Sequence, residues 1–332
     1  MVAYRWSGLF IGAIALAAMI GCGTSSTVLP DEGWSGKPGL KVLASFSPIQ
    51  CFAMNVAGEH ATVRGVMSNQ GPHHFDAGPS HARMLAGADI FFINGLSLDN
   101  SVARKMSQNL GKKKLTPISL GSAIPDEMLI EGSCSCCDDH GTPEDATAHE
   151  AHGDHDPHVW LGIDQANKMV EKIRDELKAA DPAHAADYDR RATEYSAKLN
   201  TLKADGIAML KAKTERQFIS FHGSLAYFAK TFDLKDPEVI QQVAGSEPSP
   251  KELDTLVKRC VSKKIRVIAV EPQYNASTSA KSVLDELKRR GVADPVFVVI
   301  DPLETSTDAE FGPEWYEKKM RENLEALAKV LK

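Results

Sequence analysis

The sequence predicts an α/β fold: two β/α lobes on mostly parallel four-stranded sheets, joined by one long rigid helix. Three observations predict it. Short apolar runs bounded by turn residues alternate with helix-periodic stretches, the pattern of a parallel sheet with crossover helices. That alternation occurs once before residue 130 and again after residue 214. Between the halves, residues 164–213 carry apolar residues at helical spacing with plentiful Ala, Glu and Lys, interrupted at Asp181-Pro182.

In the first half, strands are expected at 40–46, 61–67, 88–94 and 115–120, each an apolar run of ordinary strand length. Helices are expected at 50–58 and 79–86, the second opened by Pro79-Ser80. Pro182 suits a helix first turn. The helix it opens, 182–213, would extend about 45 Å at 1.5 Å per residue, a length fit for a beam between lobes. The second half repeats the pattern, with strands at 217–221, 237–243, 265–270 and 295–300 and helices at 222–231, 249–263, 280–290 and 314–331. Ser249-Pro250-Lys251-Glu252 supplies a cap, a proline at N1 and a glutamate at N3, which together make a capping box. The divisions are an N-terminal lobe over 40–181, a linking helix over 182–213 and a C-terminal lobe over 214–332. In such folds ligand sites collect at the carboxyl ends of strands.

Residues 1–21 read as a signal peptide. Arg5 supplies the positive charge, and the apolar run 9–20 is shorter than the ~20 residues a membrane span needs. Met19-Ile20-Gly21-Cys22 resembles a bacterial lipobox, which would make Cys22 the lipidated first residue of the mature chain. Residues 22–39, rich in Gly, Ser, Thr and Pro, read as a flexible tether. The protein is therefore expected outside the cytosol, in a periplasm or at a cell surface, held to a membrane by lipid on Cys22. A net charge of −6 with 43% hydrophobic residues is a globular composition without the broad basic face that nucleic acid would require. Besides Cys22 there are Cys51, Cys134, Cys136, Cys137 and Cys260, an odd set that does not form the disulfide framework of a small domain.

The chemistry is concentrated in 132–157 and just beyond. From Cys134 to His158, within 25 residues, stand Cys134, Cys136, Cys137, His140, His149, His152, His155 and His158, laced with Asp and Glu. Imidazole, thiolate and carboxylate together suit zinc and its transition-metal neighbours. A merely solvated acidic loop would not need five of the chain's 11 histidines. Three histidines lie on or entering loops at strand ends: His73 in Gly-Pro-His-His-Phe, His158 in Asp-Pro-His-Val-Trp, and His222 directly after an apolar strand. Three imidazoles with one further oxygen donor make an acceptable tetrahedral zinc site.

At this point the chain resembles the zinc/manganese-type solute-binding proteins of bacterial ABC importers, in the branch of high-affinity zinc uptake lipoproteins. The resemblance runs from Lys41 to Lys332. It rests on GPHHF at 71–75, Pro79-Ser80, Ala88-Asp89-Ile90 with Asn94-Gly95-Leu96, the intact DPHVWL at 156–161, HGSLAYF at 222–228, Glu247-Pro248-Ser249-Pro250 and Glu271-Pro272-Gln273. It implies a metal site in the cleft between the lobes, with ligands His73, His158 and His222. Gly71 departs from the Asp of the first motif. The fourth ligand stays open among Asn275, Glu271, water and a loop residue. A histidine at the third position favours zinc over manganese. The His/Cys loop would bind further zinc weakly. The implied partners are a membrane permease and its ATPase, the protein acting as a monomer and not as an enzyme. The rival readings are a surface-anchored metal buffer or adhesin, and a zinc hydrolase, for which no HExxH-type motif exists. Because neutral imidazole is the ligand, affinity is expected to fall below roughly pH 6.5.

Overall fold

The computed structural model describes residues 34, 39–73, 75–108, 115–132, 155–241, 245–272 and 278–332. The predicted signal peptide, Cys22 and the segment 133–154 lie outside them. Among the described residues, β1 (Leu40–Phe46), β2 (Ala61–Met67), β3 (Ile90–Ile93) and β4 (Ile118–Ser119) form one parallel sheet in the order β2-β1-β3-β4. A second parallel sheet takes β5 (Ile219–His222), β6 (Glu238–Gln241), β7 (Val267–Val270) and β8 (Val296–Val299) in the order β6-β5-β7-β8. The two lobes thus repeat one topology, as the alternating pattern predicts.

The helices are α1 (Ser47–Ala57), α2 (Pro79–Gly87), α3 (Asn100–Gln108), α4 (Ile163–Ala180), α5 (Ala185–Leu210), α6 (Ala226–Thr231), α7 (Pro250–Lys263), α8 (Thr278–Arg289) and α9 (Trp315–Val330). The linking helix is shorter than the sequence suggests. Pro182–His184 is a separate 3-10 turn, and the 26 residues of α5 extend about 39 Å. At α7 the capping box is formed: Ser249 N–H donates to Glu252 Oε2 at 2.7 Å, and Glu252 N–H donates to Ser249 Oγ at 3.3 Å.

Strand alternation sorts the second core. Val267 and Ala269 of β7 face a large core shared with the first lobe, while Ile268 and Val270 turn to a separate cluster with Ile219, Phe221, Leu256 and Val283. The large core is continuous. It runs from Val42 and Phe46 through Phe52 of α1, Ile173 of α4, Tyr195 and Leu199 of α5 and Tyr316 of α9 to Val267. The helix beam is therefore embedded in hydrophobic packing common to both lobes.

Three expectations need correction. His222 is the last residue of β5, and the helix after it starts only at Ala226. Helix α3 was not expected: its buried face is just Val102, Ala103 and Met106, too narrow a stripe to stand out in a polar segment. Within the predicted tether, Trp34 is seated rather than free. It is buried, its indole N–H donates to Met84 O at 2.9 Å, and Arg64 stacks over the ring.

Candidate metal centre

The elements that follow strands deliver the site. His73 lies in the turn after β2, His158 in the turn entering a 3-10 helix (Val159–Leu161), His222 at the end of β5, and Glu304 on the segment after β8. All four donor atoms lie within 4.8 Å of one another. His158 Nε2 is 3.2 Å from His73 Nε2 and 3.3 Å from His222 Nε2. Glu304 Oε1 is 3.3 Å from His73 Nε2, 3.6 Å from His222 Nε2 and 3.9 Å from His158 Nε2. Four ligands at zinc bond lengths of 2.0–2.2 Å would stand about 3.3 Å apart on the edges of a tetrahedron. The side chains are 1–7% exposed, so the cluster is closed to bulk water. Glu304 Oε1 is buried without a well-formed hydrogen bond, its nearest polar neighbour in the cluster being His73 Nε2 at 3.3 Å.

The outward nitrogens are held by carboxylates. Asp156 Oδ1 sits 2.7 Å from His158 Nδ1 and also accepts the His158 backbone N–H at 2.9 Å. Glu271 pairs with His222 Nδ1. A carboxylate at Nδ1 fixes that nitrogen as the protonated one, so that the ring, once neutral, presents its Nε2 lone pair inward. The Asp-Pro-His-Val-Trp segment is pinned from both lobes. Tyr227 O–H donates to Asp156 O at 3.0 Å, Asn94 Nδ2 donates to Pro157 O at 3.0 Å, and Trp160 Nε1 donates to Pro302 O at 2.8 Å. The asparagine of the Asn94-Gly95-Leu96 motif thereby acquires a structural role.

The protonation states are arranged for a cation. Burial pulls His158 below the usual imidazole value, partly opposed by Asp156 and reinforced by His222 and His73. Burial acts downward on His222 as well, but Glu271, then Glu304 and Asp156, overcome it and push its pKa up to about 9. Burial acts upward on Glu304, yet the imidazoles, His73 foremost, bring its pKa down to about 2. The surrounding carboxylates thus favour a proton on His222, and the imidazoles favour the ionised form of Glu304.

His73, His158 and His222, separated by up to 149 residues in the chain, lie together in one cluster. Glu271 is not in the inner group of four; it backs His222. Asn275 lies outside the described residues, as do Cys134, Cys136, Cys137, His140, His149 and His152. His155 lies apart from the four, pairing with Glu131 in an isolated antiparallel bridge that closes the neck of the His/Cys-rich segment. Glu304 was missed. The signal that finds it is positional: Asp301-Pro302-Leu303-Glu304 follows the carboxyl end of the last strand, where the other ligands also lie. Cys51 and Cys260 are buried free thiols, both pushed up to about 12 by burial, and take no part.

The model of the family described as zinc-uptake complex component A, periplasmic, matches residues 42–330. Zinc-binding lipoprotein AdcA of Streptococcus pneumoniae is 30% identical over 293 residues, covering 87% of this chain and 55% of the relative. The chain thus spans about half the length of the streptococcal relatives it matches. High-affinity zinc uptake system protein ZnuA of Bacillus subtilis is 27% identical over 325 residues, covering 97% of both chains. A zinc-bound variant of AdcAII from S. pneumoniae superposes with a TM-score of 0.71 at 25% identity over 90% of this chain and all of that one. A laminin-binding protein of Streptococcus agalactiae, described as having adhesin and metal-transporting activity, shares the fold with a TM-score of 0.71 at 22% identity over 89% of this chain. With nearly the whole folded chain matched by the family model, this protein belongs to the periplasmic zinc-uptake complex component A family.

Proposed function

We propose that this protein is the extracytoplasmic zinc-binding component of an ABC importer. It captures Zn²⁺ with His73, His158, His222 and Glu304 in the cleft between the lobes and delivers it to a membrane permease driven by a separate ATPase. The observation that carries the reading is the buried convergence of three Nε2 atoms and the unsatisfied Glu304 Oε1. Three imidazoles and one carboxylate form a nitrogen-rich set that suits zinc better than manganese. Four protein donors leave no open coordination position, and catalytic zinc keeps one, which favours carriage over hydrolysis. Tethering by lipid on Cys22 and auxiliary zinc binding by the 132–157 loop belong to the same reading.

The test is a calorimetric zinc titration of the mature protein, His222→Ala and a deletion of 133–154 that spares the Glu131–His155 bridge. One tight site that survives the deletion and is lost in His222→Ala is the expected result. Tight binding that disappears with the loop and ignores His222→Ala would instead make the protein a loop-based metal buffer.

A further inference from the structure

We propose that Gly71 is a positioning residue for Glu304: its missing side chain is the space in which the carboxylate of the opposite lobe settles against the histidines. The inference rests on the cleft being the metal site. Gly71 is not among the glycines with positive φ, so its backbone does not demand glycine. What demands it is proximity. A Cβ on Gly71 would lie 2.8 Å from Glu304 Oε2, 3.4 Å from its Cβ and 3.8 Å from its Cδ. Gly71 stands two residues before His73, so one turn both delivers an imidazole and makes room for its carboxylate neighbour.

Glu304 cannot yield by moving its backbone. Ser306 N–H donates to Ser68 O at 2.7 Å, the Ser47 and Ser306 hydroxyls are 2.9 Å apart, and Leu303 N–H donates to Asp301 Oδ1 at 2.8 Å. The group that gives way to a methyl at position 71 is the carboxylate itself. Relieving a 2.8 Å contact to ordinary van der Waals distance moves Oε2 by about 0.6 Å, and Oε1 turns with it. Ligand geometry tolerates about 0.5 Å. Perturbing a group that orients a ligand typically weakens metal binding about 10- to 100-fold.

The experiment measures zinc affinity of the full mature protein by competition with a chromogenic chelator. It compares wild type, Gly71→Ala, Glu304→Ala, the double variant and His222→Ala, with melting of each metal-free protein and the d–d absorption of each cobalt(II) form. Gly71→Ala is expected to lose about 10- to 100-fold in affinity and to weaken the four-coordinate cobalt signature, with the metal-free melting temperature unchanged. In the Glu304→Ala background the same methyl should cost nothing further, since the group it displaces is gone. Unchanged affinity in Gly71→Ala overturns the inference. So does a loss of equal size in the Glu304→Ala background, which would place the effect on His73 or on the fold. If His222→Ala also binds zinc like wild type, the cleft reading itself fails.

Discussion

The proton on His222 makes a quantitative claim, and Glu271→Gln is the change that isolates it. Glu271 is the first carboxylate that raises this imidazole against its burial, and glutamine keeps the shape and an acceptor oxygen while removing the charge. A rise from 6.5 to about 9 is worth about 3 kcal/mol. The raised value stabilises the metal-free protein fully below pH 6.5, and that contribution disappears as pH climbs through about 9. Zinc binding has the opposite dependence, because the metal must displace the proton. Affinity should therefore rise about tenfold per unit well below pH 9 and about 50-fold from pH 7 to pH 9, from this one group.

At pH 8 an ordinary histidine is already neutral, whereas an imidazole with a pKa of about 9 is still mostly protonated. Calorimetry at pH 8 in buffers of differing ionisation enthalpy should thus report close to one proton released per zinc bound at the tight site. In Glu271→Gln that release should vanish, the pH slope between 7 and 9 should flatten, and the metal-free protein at pH 6.5 should lose up to about 3 kcal/mol of stability. Wild-type binding at pH 8 with no proton released, and an affinity that is flat from pH 7 to pH 9, would refute the reasoning.

Two further outcomes are expected. Asp156→Asn replaces the oxygen that accepts from both His158 N–H groups and should cost about 10- to 100-fold in zinc affinity by chelator competition, with metal-free melting as the control. Ser249→Ala removes the α7 capping box and should lower stability by about 1 kcal/mol in denaturant titration while leaving zinc affinity unchanged.

The legible parts were those carried by local pattern. Strand and helix order followed from apolar runs and periodicity, the α7 start from Ser249 and Glu252, and three of the four central residues from histidines at strand ends. Glu304 was not legible in the same way. With 44 Asp and Glu in the chain, a single carboxylate carries no compositional signal, and only its place after β8 marks it. The protonation of His222 was hidden for a different reason. The carboxylate that raises it is Glu271, 49 residues away in sequence, so the pH at which affinity falls is predicted to lie above the 6.5 of an isolated imidazole. Trp34 shows the same limit. The composition around it reads as tether, and its anchorage depends on Met84 and Arg64, which only the fold brings near.

The repeated topology explains why the site is preformed and why that is tolerable without metal. Each lobe turns the carboxyl ends of its strands to the cleft, and each contributes two of the four donors: His73 and His158 from the first, His222 and Glu304 from the second. Because one hydrophobic core runs through both lobes around α5, the donors are held close together before any ion arrives, and little ordering cost is left for binding. A rigid, buried set of lone pairs and a carboxylate would be expensive if it carried an unbalanced charge. The proton on His222 offsets part of that negative charge in the metal-free state, held there by Glu271 from behind and Glu304 from within. On the proposed reading, zinc entry would exchange one cation for another inside this cluster. The basicity of His222 sets how readily that exchange runs in either direction.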